Sequence, residues 1–474
     1  MDQPLTDMPR PAALLVVLLV TMTSACALGP NYARPQMPTP PQYRFVESSS
    51  SAQSLADSPW WEVFADPALQ ALVREAIANN LDLQIAVARL EEARATAGIA
   101  KSFLYPQVDG VASYTVRQAS RTSLQNGEET DDTTHQSGAY GFQLSWEIDL
   151  FGRLRRQHEA ALALVLASEQ GRRGVLVTLV GDVATNYFLL RELDVQLEIA
   201  RQTLRINDDT VTYFRNRLDG GVSNRLELDR ILANRTQTAA AIPQLEQQIA
   251  IVEHQLSLLL GRPPSAIARG TLAMDESGPP AIPAGLPASL LERRPDVLQA
   301  EQNLVAANAD IGAAKALFFP TISLTGFLGG VSGDVTTFLG GEGAVWSIGS
   351  GLLQPIFQAG RLKRNVEATQ ARFDAAVAGY RRAALNGYRE VANSLVTIQK
   401  LAVERGERQT GVAALQDAAD LARSRFESGL ASYIEILTAD QDLFQQQLQL
   451  AQTRGAELRA RAELYRTLGG GWQQ

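Results

Sequence analysis

The chain is poor in the residues that most catalytic and metal chemistry uses. Its 474 residues include one cysteine, Cys26, and three histidines. One cysteine excludes an intrachain disulfide, and His135, His158 and His254 are too scattered to suggest paired metal ligands. The glycine-rich run Gly329-Gly330-Val331-Ser332-Gly333 lacks the Lys-Ser/Thr that a phosphate loop needs. These absences point away from an enzyme, and no cofactor or metal is expected. Basic charge is also missing: a formal charge of -8 leaves no footprint for nucleic acid. Charged residues at 20% and a mean hydropathy near zero argue against a bundle of membrane helices. They do not argue against a β-barrel, whose strands alternate and escape such averages. The only continuous apolar run, residues 12–20, is too short to cross a bilayer and reads as the core of a signal peptide over 1–25. Asp2 and Asp7 precede it with Arg10, and initiation at Met8 would remove both acids.

What is present is organised around residues 137–218. Tyr140, Phe142, Leu144, Trp146, Ile148 and Leu150 alternate with Gly141, Gln143, Ser145, Glu147 and Asp149, a period of two that specifies a strand with one apolar face. From Arg153 to Leu218 there is no proline and apolar residues recur every three or four positions. A helix of that extent would be about 100 Å long. Residues 26–66 form a proline-rich linker, and Asp66-Pro67 then reads as an N-cap with proline at the first helical position. That helix is expected to run to Tyr105, before Pro106. Residues 107–117 alternate again and make the first strand of a hairpin, with a polar loop over 118–136. Asp219-Gly220-Gly221 stops the long helix. A second helix over 226–260 carries Leu228, Ile231, Arg235, Thr238, Ile242, Leu245, Ile249, Val252, Leu256 and Leu259 in 3,4 spacing, a coiled-coil seam with Pro243 inside it as an expected kink.

The plan then repeats. Residues 82–106 match 296–320 at a constant offset of 214, pairing Gly98 with Gly312 and Lys101 with Lys315. Beyond the hairpins the offset is 208: Gly152-Arg153-Leu154 falls on Gly360-Arg361-Leu362, and Gly221 on Gly429. The expected organisation is a first repeat over 67–261 with its hairpin at 107–150, a linker over 262–289, a second repeat over 290–469 with its hairpin at 320–357, and a tail over 470–474. Four amphipathic strands cannot close a barrel in lipid without exposed edges, so chains must pool them. Three copies would supply twelve strands, within the range of closed barrels, and four or more would widen the lumen further. The long helices, rich in Arg, Glu and Gln, must stand in water.

Ser24-Ala25-Cys26 resembles the lipobox of a bacterial lipoprotein, with Thr23 where Leu is usual; the resemblance implies membrane attachment through a lipid on Cys26 and, with Ala27 following, sorting to the outer membrane. Four stretches carry a wider resemblance: Cys26-Ala-Leu-Gly-Pro-Asn-Tyr-Ala-Arg-Pro35; Ile242-Pro-Gln-Leu-Glu-Gln-Gln-Ile249 with Leu259-Leu-Gly-Arg-Pro-Pro264; Leu290-Leu-Glu-Arg-Arg-Pro-Asp296; and residues 311–325. With them the chain resembles the TolC-type outer-membrane factors of tripartite efflux pumps, in their lipid-anchored, OprM-like branch. The resemblance implies a mixed fold, a transmembrane β-barrel of four strands per chain and twelve in a homotrimer, continuous with a periplasmic α-helical coiled-coil barrel. It implies a passive gated conduit for small molecules, served by a periplasmic adaptor (a membrane fusion protein) and an inner-membrane pump of the RND type.

Two sites follow from the resemblance. Arg217, Gly220, Gly221, Val222 and Ser223, with Arg425, Gly429, Leu430 and Ser432, match the periplasmic tips that meet the adaptor, although glycines there are also ordinary helix stops. Glu435, Ile434 and Thr438 fall at the pore constriction; Thr438 stands where Asp is common, and a charge such as Glu435 is also often simply solvated. Two other readings share features of the sequence: the channel of a type I protein secretion system, which has the same architecture, and a periplasmic coiled-coil scaffold lipoprotein, which leaves the apolar hairpin faces without a partner.

Overall fold

The computed structural model describes residues 27–41, 61, 64, 66–118, 124–125, 128–129, 134–270, 287–333 and 343–470. In order, its elements are α1 (Pro67–Asn79), α2 (Leu81–Ser102), β1 (Gln107–Gln118), β2 (Leu124–Gln125), β3 (Glu128–Glu129), β4 (Thr134–Ile148), α3 (Arg153–Asp219) and α4 (Arg225–Leu259). Then come α5 (Pro287–Arg293), α6 (Pro295–Ala316), β5 (Thr321–Ser332), β6 (Ala344–Leu353), α7 (Arg361–Glu427) and α8 (Tyr433–Thr467). The internal repeat is visible in the lengths: α3 and α7 are both 67 residues, α4 and α8 both 35, α2 and α6 both 22. The backbone repeats too. Gly152 and Gly360 have φ +80 and +83, Gly221 and Gly429 both +72, and Gly261 and Gly469 +69 and +71. Only glycine takes that conformation without strain, so the same stops are written twice.

By backbone contacts the chain divides into two units, each drawn from both repeats. The first gathers the residues up to Pro35, Leu90–Ser168 and Ala300–Tyr380. It holds an antiparallel sheet in the order β1-β4-β5-β6. The register does what the alternation demanded: Val108 faces Leu144, Phe142 faces Leu328, Ile148 faces Ile322, and Leu328 faces Trp346. Directly opposed residues share a face, so the even positions of all four strands form one apolar surface. Phe142, Leu328, Trp346, Ile348 and Leu352 on it are all exposed in the single chain. The opposite face carries Asp109, Ser113, Gln143, Ser145, Ser323 and Thr325. The strands are longer than the sequence suggested: β1 reaches Gln118, β4 begins at Thr134, and a short β2-β3 pair lies in what was expected to be all loop. Below the sheet, Ala160 and Ala163 of α3 pack on Ala306 and Ala309 of α6.

The second unit, Gln36–Arg89, Glu169–Gln299 and Arg381–Gln474, contains the largest core, with Leu69, Val73, Val183, Tyr187, Phe188, Leu256 and Tyr465 at its centre. Asp66 caps α1 as expected, accepting from Ala68 N (2.9 Å) and Leu69 N (3.3 Å). The helix it opens is not continuous to Tyr105. It breaks at Asn80, whose amide donates to Leu259 O (2.9 Å) while its oxygen caps Leu83 N (2.9 Å). The second repeat breaks at the matching Arg294, which donates to Thr467 O (2.7 Å), the counterpart of Leu259 O, and to Asp296 and Glu390. At Asn80 a side chain that satisfies a carbonyl at the end of another helix outweighs local helix propensity, so that break escapes a reading of periodicity; at Arg294 the following Pro295 also ends the helix locally. Along α4, Ile231, Thr238, Leu245, Val252 and Leu256 are buried and the helix passes through Pro243 without ending; Arg235 leaves the seam to meet Asp208 at 2.8 Å.

Candidate functional site

The two glycine turns are built alike. At the first, Val222 N donates to Arg217 O (2.9 Å) and Gly221 N to Leu218 O (3.0 Å); at the second, Leu430 N donates to Arg425 O (2.8 Å) and Gly429 N to Phe426 O (2.9 Å). This hydrogen-bond pair, closed by a left-handed glycine, satisfies the last carbonyls of a helix and turns the chain sharply. Each arginine then ties its own loop: Arg217 Nη2 donates to Val222 O (3.3 Å) and Arg425 Nη2 to Leu430 O (3.4 Å). Those ties leave the apolar side chains outward. Val222 and Leu226 at one turn are 63% and 62% exposed, and their counterparts Leu430 and Ile434 are 70% and 47% exposed, so both turns present an aliphatic pair to solvent. The starts of the following helices differ. Asn224 caps α4 through Glu227 N (2.9 Å) and Ser223 Oγ donates to Glu227 (2.7 Å), whereas Ser432 makes no side-chain cap.

Helix periodicity sorts the residues after the second turn. Tyr433, Ile436 and Leu437 point into a small core with Val211, Phe214, Ile231 and Ala422, where the Tyr433 and Phe214 rings lie 4.3 Å apart. Ile434, Glu435 and Thr438 are therefore on the exposed side. Thr438 Oγ1 donates to Ile434 O (2.9 Å), and the Glu435 carboxylate lies 3.8 Å from Arg425 Nε, each side chain about half exposed. The candidate constriction residues thus share one solvent-facing stripe, with the acid leaning on its own chain's arginine. Next to them the sequence reading missed an ion pair. Asp440 meets Arg423 Nη2 at 2.7 Å, and Arg423 also holds Asp420 at 3.0 Å. Burial raises the Asp440 carboxyl above its usual range, opposed by Arg423, and burial pushes the adjacent Tyr433 hydroxyl up to about 12. Nothing in the spacing of these residues marked them, because burial at a four-helix contact is a tertiary property.

Cys26 lies outside the described residues, but the segment after it is firmly placed. Ala27 sits against Gly152, Gly29 (φ +100) against the Cα of Gly312, and Leu28 N donates to Phe151 O (3.2 Å). Arg156 donates to Leu28 O (3.1 Å) and Asn31 Oδ1 (2.9 Å), Asn308 to Pro30 O (2.9 Å), and Arg34 to both oxygens of Glu301. The residue following Cys26 is thereby held where β4 passes into α3.

A duplicated chain with one apolar sheet face, two outer strand edges and long water-borne helices ending in paired glycine turns is the subunit of an outer-membrane channel. The chain belongs to the outer membrane efflux protein family, whose sequence profile matches residues 72–262 and 286–470, once per repeat. It is 33% identical to the cation efflux system protein CusC of Escherichia coli O6:H1 over 98% of this chain and 100% of that relative. It is 34% identical to the solvent efflux pump outer membrane protein SrpC of Pseudomonas putida over 97% and 98%. Among solved structures, the outer-membrane channel OprN superposes with a TM-score of 0.86 at 31% identity, covering 95% of this chain and 100% of that one. CusC gives 0.84 at 32%, covering 94% and 100%. The protein is an outer-membrane channel of a tripartite efflux pump, with the β-barrel and periplasmic α-helical barrel of those channels. Its relatives are channels, not enzymes, and components of efflux systems.

Proposed function

We propose that three copies assemble into a passive, gated conduit for small molecules, anchored by a lipid on Cys26 and met at its turns by a periplasmic adaptor that couples it to an RND-type inner-membrane pump. The observation that carries this is the sheet itself: one continuous apolar face, with β1 and β6 as its outer strands. An open edge in lipid leaves backbone groups unpaired at several kcal/mol each, so β6 of one copy pairs with β1 of the next. The internal repeat supports the same head-to-tail packing for the helices. Ala160 and Ala163 on α3 meet α6 within the chain, and their counterparts on α7, Ala368 and Ala371, are exposed, as is Ala95 on α2, the counterpart of Ala309. The α2 helix of a second copy fits there as α6 fits α3. The exposed Val222, Leu226 and Leu430 are the contact for an adaptor, and Ile434, Glu435 and Thr438 face the pore. The relatives described above are named for cation and solvent efflux, which supports small-molecule export over the alternative readings.

The test is single-channel conductance of the purified protein in planar bilayers, wild type against Glu435→Ala, with oligomer mass measured in parallel. A trimer whose small closed-state current rises on loss of Glu435 is expected. A trimer with unchanged current moves the constriction away from Glu435, and a monomer that forms no pore refutes the assembly.

A further inference from the structure

The repeat is broken at one place that the channel function does not explain, the passage from sheet to long helix. In the first repeat its three cations are all answered by the chain. Arg153 forks onto Glu147 (2.6 Å), Arg155 meets Asp149 (3.3 Å), and Arg156, only 5% exposed, holds Glu159 (2.8 Å) and the carbonyls of the N-terminal segment. Asp149 also accepts from the backbone of Leu154 (3.1 Å) and Arg155 (2.8 Å). In the second repeat the cations remain, as Arg361, Lys363 and Arg364, but the acids do not. Pro355 stands at the position of Glu147 and Phe357 at that of Asp149. Arg361 turns to the Gln358 amide oxygen (2.9 Å), and Arg364, 79% exposed, has Glu367 (2.6 Å). Lys363 is exposed and has no ion pair among the described residues. The patch carries three cations against one acid. Directly before it in the chain, Leu352, Ile356 and Phe357 are 68%, 89% and 86% exposed; Leu352 ends the apolar face of β6 and the other two follow the strand. An apolar strip running into an exposed cluster of three cations with a single acid is the complement of a lipid whose headgroup is negative.

We propose that the β6–α7 junction binds the headgroup of an anionic phospholipid of the periplasmic leaflet, through Arg361, Lys363 and Arg364, with Ile356 and Phe357 against its acyl chains. The lipid phosphate takes the place that the Asp149 carboxylate fills in the first repeat. The proposal rests on the outer-membrane reading, which supplies the lipid. It also states why an aromatic side chain is tolerated where the other repeat has a carboxylate.

The test is native mass spectrometry of the assembled, detergent-purified protein titrated with phosphatidylglycerol or phosphatidylcholine. Wild type is expected to retain phosphatidylglycerol in preference. The variant Arg361→Gln/Lys363→Gln/Arg364→Gln is expected to lose that preference, at about five-fold in affinity per charge removed and roughly a hundred-fold for all three. Phe357→Asp, which rebuilds an internal carboxylate, is expected to displace the lipid while the oligomer mass stays unchanged, and Arg153→Gln, in the self-satisfied repeat, to leave lipid binding as in wild type. Equal retention of the two lipids by wild type, a triple variant that binds as wild type does, or displacement of the lipid by millimolar inorganic phosphate would each overturn the proposal. Because the same spectra report subunit number, loss of the oligomer itself is read separately, as failure of the channel assembly.

Discussion

Gly98 and Gly312 occupy the same position of the two repeats, and alanine is expected to act on them in opposite directions. A Cβ on Gly312 would lie 2.5 Å from the Leu28 carbonyl oxygen and 3.0 Å from Arg156 Cδ. The carbonyl belongs to the backbone of a segment fastened on both sides, so it cannot yield without breaking the bonds from Arg156 to Leu28 and Asn31 and from Leu28 to Phe151. Overpacking of this kind costs about 1–3 kcal/mol. Against it stands the helix propensity gained on replacing glycine, about 0.5–1 kcal/mol. Gly312→Ala therefore destabilises the docked N-terminal segment by about 1–2 kcal/mol net. A Cβ on Gly98 meets nothing within 4 Å, so Gly98→Ala keeps the whole propensity gain. Hydrogen–deuterium exchange over residues 27–34 reads the difference directly, because local opening governs it. Exchange should quicken roughly five- to thirty-fold in Gly312→Ala and stay at the wild-type rate in Gly98→Ala. Equal rates in the two variants would refute the argument that the N-terminal segment is held by its close approach to Gly312.

Arg294→Met removes the bonds to Thr467 O, Asp296 and Glu390 and should cost about 3 kcal/mol in denaturant unfolding, against about 1 kcal/mol for Asn80→Ala at the matching joint; similar values would show that the charge network at Arg294 adds nothing. Gly221→Ala and Gly429→Ala, each at φ +72, should cost about 1 kcal/mol apiece from left-handed strain, with thermal melting as the measure and an unchanged melting temperature as the contrary result. At Asp440, burial raises the carboxyl's pKa, so the stability tied to its protonated form is present below the ordinary carboxylate range and is lost as pH rises through the raised value. Protection of the tip helices, corrected for the intrinsic pH dependence of amide exchange, should fall as pH rises above the ordinary carboxylate range in wild type and stay flatter in Asp440→Asn, in which Arg423 keeps Asp420 at 3.0 Å; identical protection profiles would remove Asp440 as the cause. Tyr433, pushed up to about 12, does not titrate in that window.

Much of this architecture was legible because it is local. Strict alternation from Tyr140 to Leu150 prescribes an apolar strand face whatever its neighbours, and left-handed glycines at 221 and 429 end helices by backbone sterics alone. Repetition at fixed offsets then doubled every such inference, and the exposed side of Ile434, Glu435 and Thr438 follows from a period of 3.6. The break at Arg294 precedes Pro295, which ends a helix locally, whereas the one at Asn80 was not legible, since it is decided by a carbonyl more than a hundred residues away. Nor was the burial of Asp440, which depends on four helices meeting around Phe214 and Tyr433. The contrast between Asp149 and Phe357 was written in the sequence as a mismatch between repeats. Its meaning came only from tertiary structure, which shows the first answering its own cations and the second leaving them exposed. Sequence by itself determined where the long helices stop, which strand face is apolar, and that the plan occurs twice, because those depend on neighbouring residues. Tertiary structure decided which side chains close the joints and which charges lack partners, because such balances are struck between atoms that only folding brings within a few ångströms.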